Sequence, residues 1–168
     1  STLDKVEARR RFAHPAGAVI VLISFGGFGL ERISWEKLQR LKDFFFVTTG
    51  AVAGKEKNLL VLPEALPHYE DLVRAADIVV SKPGYGIVSD VIGHRVPLLY
   101  TSRGDFPEYS FLVQALEQWA TCEFIPQEEL LAGEIGPYLE RLLEKEPNWP
   151  AVPLNGAQIA AEEIMALL

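Results

Sequence analysis

A chain of 168 residues with 49% hydrophobic and 23% charged side chains has the size and composition of one soluble globular domain, and nothing in that composition indicates disorder. The formal net charge of -7 comes without any extended basic block, which argues against a general nucleic-acid binder and requires any anionic ligand to be met by local donors. Cys122 stands alone, so internal disulfides and cysteine-rich metal sites are excluded and a reducing cytoplasm is expected; the longest apolar run, Ala16 to Phe28, falls short of the roughly 20 residues that cross a bilayer.

In chain order, Leu3 to Phe12 carries Glu7 and Arg9, Arg10 and Arg11 and is expected to be a polar lead-in, a solvated linker in preference to a helix. Residues 1–14 are therefore set apart from a domain spanning 15–168. Ser1 in place of an initiator Met, with no signal-peptide pattern after it, suggests a cut fragment or processed form. Ala18 to Ser24 is a continuous Val/Ile/Leu run, as in a strand covered on both faces, and it empties into Gly26, Gly27 and Gly29. Ser34 is placed to cap a helix running through Lys42. Strands are predicted at Phe44 to Thr49 and Asn58 to Leu62, followed by a loop bracketed by Pro63 and Pro67 and a helix from His68 to Ala76. Asp77 to Ser81 is a fourth strand, broken by Lys82-Pro83-Gly84 before a helix from Tyr85 to Gly93. Pro97 to Thr101, a helix at Glu108 to Trp119 and Cys122 to Ile125 continue the alternation, and the tail is helical at Gln127 to Leu131, Ile135 to Glu144 and Gly156 to Leu168.

Alternating strands and helices imply crossover units, hence an α/β, Rossmann-like doubly wound parallel sheet of about six strands with helices on both faces and a helical C-terminal tail. Such a sheet binds ligands beyond the carboxyl ends of its strands, where strand order reverses. Three segments fall there. Ser24-Phe25-Gly26-Gly27-Phe28-Gly29 would let backbone amides approach a ligand, but Arg32 stands where a dinucleotide fingerprint needs its third Gly; a plain tight turn is equally compatible. At Gly84-Tyr85-Gly86 a helix begins with free N–H donors and its positive dipole end, with Lys82 beside it and Ser89 a turn inside. Asp90, about a turn and a half further on, could accept from both hydroxyls of a ribose while a diphosphate stays at the helix end. The loop from Arg103 offers Asp105 and Glu108 as acceptors for sugar hydroxyls and Phe106 and Tyr109 as aromatic walls, although Glu108 could simply favour a helix N-terminus. His14, His68 and His94 are scattered without i, i+4 pairing, so neither a metal nor a cofactor is expected, and no nucleophile elbow or Cys–His pair is present.

The run Ala76 to Asp90, followed by Gly93-His94-Arg95-Val96-Pro97-Leu98-Leu99-Tyr100, resembles the C-terminal domain of family 28 glycosyltransferases of the GT-B type. A closer likeness is to the glycosyltransferase-like region of L-arabinokinase-type proteins, carried by Lys82 to Asp90, Asp105-Phe106-Pro107-Glu108, Glu129-Leu130-Leu131-Ala132-Gly133, Pro137 to Arg141 and Leu154-Asn155-Gly156-Ala157. The resemblance implies a nucleotide-sugar donor, a UDP-sugar, as substrate. Gly84, Tyr85 and Gly86 would hold its diphosphate and Asp90 its ribose, where the family more often has Glu. Leu66 and Pro67 would pack the base, Gly26 and Gly27 would face phosphates or acceptor, and Asp105, Glu108 and Tyr109 would approach the sugar. It also implies a second, N-terminal domain that holds the acceptor and supplies the base; 168 residues leave no room for it, so this chain alone is expected to bind donor without transferring sugar. Two other readings stay open: a non-catalytic sugar-nucleotide sensor attached to another enzyme, and a nucleotide-sugar hydrolase or epimerase.

Overall fold

Parallel β-strands in the order β3-β2-β1-β4-β5-β6 form one sheet in the computed structural model, which describes residues 1–25, 32–50 and 57–167. The strands are β1 (Val19–Ser24), β2 (Phe44–Thr49), β3 (Leu59–Leu62), β4 (Ile78–Ser81), β5 (Leu98–Tyr100) and β6 (Cys122–Phe124). Each lies within a residue or two of the run that predicts it, because buried Val/Ile/Leu/Phe stretches bounded by Pro, Gly or Asp leave little freedom in placing a strand. Strand order reverses between β1 and β4, whose register pairs Val21 with Ile78 and Ser24 with Ser81. The glycines at Gly26 and Gly27 lie outside the described residues.

The pleat of β1 divides the core into two layers. Ile20 and Leu22 face one side with Val47, Val79 and Leu98; Val21 and Ile23 face the other with Phe46, Ile78, Val80 and Leu99. The first layer is closed by Leu72 and Val73 of α3 (Tyr69–Ala75), Val88 and Val91 of α4 (Tyr85–His94), and Leu112 and Leu116 of α5 (Tyr109–Trp119). The second is closed by Trp35 and Leu38 of α2 (Trp35–Leu38), Leu130 of α6 (Gln127–Leu131), and Leu139 and Leu142 of α7 (Gly136–Glu144). The predicted Ser34-capped helix is cut to four residues, and Ser34 makes no side-chain cap; its amide instead donates to the Leu131 carbonyl at 2.9 Å. Gly133, at φ +76°, allows this close approach of α2, since a Cβ there would meet the Ser34 carbonyl and Lys37 at 2.9 Å. The tail helix α8 (Gly156–Ala166) buries none of its residues. No helix among the described residues is long and apolar enough to cross a membrane.

The lead-in is a helix, α1 (Lys5–Arg11), rather than a solvated linker. Asp4 and Glu7 close a reciprocal capping box, and Arg9, Arg10 and Arg11 fall in the last turn, where the helix dipole favours cations. Tertiary contacts then fix it to the sheet. Lys5 Nζ lies 2.7 Å from Asp77, Arg9 pairs with the same carboxylate, and Arg11 pairs with the buried Asp71 of α3. The Ile20 amide also donates to Asp77, at 2.8 Å. Burial alone would raise the Asp77 carboxyl, but the hydrogen bonds from Lys5 and the Ile20 amide, with the charges of Lys5 and Arg9, hold it below its ordinary value. Behind this cluster the His14 ring stacks on Phe12 at 5.9 Å, with Phe45 at 6.4 Å. Burial first, then the Arg9 charge, against the opposing pull of Asp77, lowers the His14 imidazole to about 4.

Candidate functional site

Every residue of β4 is buried, and the strand ends in Lys82, Pro83 and Gly84 at the edge where strand order reverses. Proline cannot extend the strand, and Gly84, in extended conformation at φ -151° and ψ 157°, starts α4 without a side-chain cap of its own, and no cap from another side chain is present among the described residues. The leading amides of α4 and the positive end of its dipole are thereby left available to something other than a capping side chain. They open onto a cleft of about 570 Å³, whose floor is made by the ends of β1 and β4 and whose walls include Lys82, Asp90 and Arg103.

The floor is a hydroxyl network. Ser81 Oγ donates to the Ser24 carbonyl at 2.6 Å, tying the two central strands together, and Tyr69 from α3 donates to Ser24 Oγ at 2.5 Å. Burial raises the Tyr69 phenol above its ordinary value, helped by the charge of Asp90 and opposed by the Ser24 contact, so it stays a neutral donor. Among the described residues Ser24 Oγ accepts this bond and donates none. Asp90, half-buried, has its carboxyl raised by burial and by the charge of Glu70, against the N-terminal ammonium.

Arg103 comes from the loop after β5. Its Nη1 donates to the Pro83 carbonyl at 2.7 Å, and its guanidinium lies 4.0 Å above the Phe106 ring centroid. A Cβ at Gly84 would stand 2.6 Å from Nη1. Glycine at this position is therefore what lets the arginine lie flat along the rim.

No protein-family model matches the chain. It is 28% identical over 165 residues to an L-arabinokinase from Arabidopsis thaliana, a match that takes in 94% of this chain and 15% of that protein. Among solved structures it resembles a spinosyn forosaminyltransferase, with a TM-score of 0.60 at 14% identity over 81% of this chain and 38% of that one. The glycosyltransferase SnogD from Streptomyces nogalater gives 0.53 at 19% identity over 92% and 45%. The glycosyltransferase of kitacinnamycin gives 0.53 at 18% identity over 77% and 40%. The fold is that of a GT-B glycosyltransferase-like domain. The chain spans less than half the length of each of these proteins.

On this glycosyltransferase-like scaffold the structure brings together Lys82, Gly84, Tyr85, Gly86 and Asp90, all of which border the cleft. Ser89 is exposed and borders a neighbouring groove instead, because the helical turn that points Asp90 inward points its predecessor outward. Leu66 packs against the core beside Tyr69, and Pro67 is exposed; neither lines the cleft. Asp105, Phe106, Glu108 and Tyr109 are likewise absent from its described lining, Phe106 lying under the Arg103 guanidinium that does line it. Arg103, Tyr69, Ser81 and the side-chain hydroxyl of Ser24 are cleft groups for which sequence reasoning predicts no role. The first had a readable sign, a cation three residues before an aromatic ring in a loop at the carboxyl edge of the sheet; the others meet only through the tertiary fold.

Proposed function

We propose that this domain binds the nucleoside diphosphate of an activated sugar, a UDP-sugar, and serves as the donor half of a glycosyltransferase in the cytoplasm. The observation that carries this reading is the uncapped start of α4, opening with Lys82 onto the cleft where strand order reverses. In this reading the diphosphate lies against the amides of Tyr85 and Gly86, and Asp90 accepts from the ribose hydroxyls. The base lies toward Leu66 and Pro67, and the sugar toward Asp105, Glu108 and Tyr109. The leaving diphosphate is stabilised as charge develops by helix amides and Lys82, without a metal ion. An acceptor-binding domain elsewhere in a longer protein completes the enzyme. Isothermal titration of the 168-residue chain with UDP and UDP-sugars is expected to give weak, saturable binding; no heat with any nucleoside diphosphate overturns the reading.

One finding favours a second reading, a non-catalytic sugar-nucleotide sensor. The L-arabinokinase that this chain resembles is matched over only 15% of its length, and its name describes a kinase. NMR analysis of products formed by the full-length protein from a UDP-sugar separates the two. Glycoside transfer supports the enzyme, binding without turnover supports the sensor, and free sugar or an epimerised donor supports the hydrolase or epimerase alternative.

A further inference from the structure

The cleft holds a cation with an unusual degree of preparation. Among the described residues, one hydrogen bond, from Nη1 to the Pro83 carbonyl, engages the Arg103 guanidinium, leaving most of its five N–H donors uncommitted. Its plane is nevertheless fixed from two directions, by that carbonyl at 2.7 Å and by the Phe106 face at 4.0 Å. The absent side chain of Gly84 supplies the space it fills. An arginine on an exposed loop ordinarily spends much rotamer entropy when it grips a ligand, and here much of that ordering precedes the ligand. The guanidinium also lies against the residue that starts α4, so the helix amides and the arginine converge on one place from two elements.

We propose that Arg103 is a ligand-binding residue of this cleft, an anion clamp that grips the diphosphate beside the first residue of α4 and so makes affinity depend on the phosphates rather than on the nucleoside. The proposal rests on the nucleotide-sugar reading above and extends it to a residue on the β5 loop. The competing role is a staple, in which Arg103 merely ties its loop to the Pro83-Gly84 turn. The two roles differ in what they discriminate. A clamp acts on the charged part of the ligand, whereas a staple alters the whole site and the stability of the fold.

Titration of wild type, Arg103→Met and Arg103→Lys with UDP and with uridine, followed by heteronuclear NMR so that millimolar affinities are measurable, separates them. The expected result is a roughly tenfold to hundredfold loss of UDP affinity in Arg103→Met, with uridine affinity and melting temperature held at wild-type values. Arg103→Lys should fall between, because it keeps the charge but loses the planar fork and the stacking. Equal UDP binding by wild type and Arg103→Met overturns the clamp and leaves the nucleotide-sugar reading standing. A parallel loss for UDP and uridine, or a lowered melting temperature that accounts for the change, assigns Arg103 the staple role and also overturns it. Failure of the wild-type chain to bind UDP removes the nucleotide-sugar reading and the clamp with it.

Discussion

At the N-terminal end of β4 the Asp77 carboxylate is met by Lys5, by Arg9 and by the Ile20 amide, whereas at the C-terminal end Lys82, Arg103 and the first amides of α4 face a cleft. Both ends concentrate opposite partial charges around a strand terminus. At the first, the chain supplies its own counter-charge, lowers the carboxyl below its ordinary value and ties down a helix. At the second, positive groups gather around space, and the carboxylate within reach, Asp90, is raised rather than lowered. Self-satisfied charge holds the domain together; positive charge left facing a cavity marks where a foreign anion would bring the missing half.

The comparison breaks first at Asp77. Asp77→Ala strands the Ile20 amide and two cations, and is expected to cost about 2–3 kcal/mol in urea unfolding while the folded fraction binds UDP as wild type does. A loss of UDP affinity at unchanged stability would reverse the roles assigned to the two ends. Gly84→Ala makes the converse change. Its Cβ displaces the Arg103 guanidinium, and UDP affinity is expected to drop about tenfold with little change in the urea midpoint.

The smallest effect is in acid. His14 takes up a proton near 6.5 when unfolded but only near 4 when folded, so between those values the unfolded state holds more protons and stability falls as pH is lowered. Asp77 adds to the loss further down, as pH falls through its depressed folded value below 3.8. The melting temperature should decrease by a few degrees from pH 7 to pH 5, and His14→Phe should flatten that decrease while keeping the stack on Phe12.

The sheet was legible because its information is local. Val19 to Ile23 and Phe44 to Val47 are apolar without interruption, and the Lys82-Pro83-Gly84 break can only end a strand. The α4 end of the site was legible for the same reason, since Gly84, Tyr85, Gly86 and Asp90 sit on one turn-to-helix segment. The lead-in was misjudged although Asp4 and Glu7 hold the spacing of a capping box; three consecutive arginines suggest solvent until Asp71 and Asp77 are known to face them. Arg103 and Tyr69 escaped because their partners, Pro83 and Ser24, lie 20 and 45 residues away. No spacing rule reaches that far.

The hydrogen bond between Asp77 and the Ile20 amide spans 57 residues and lies on the seam where β1 meets β4. To either side, β1-β2-β3 and β4-β5-β6 are each wound from neighbours in sequence, so the half-sheets should nucleate early and their docking should be the slow, entropically costly step of folding. The cleft straddles that seam and does not exist in either half. In refolding kinetics, competence to capture a ligand should therefore emerge with the last phase and never before it.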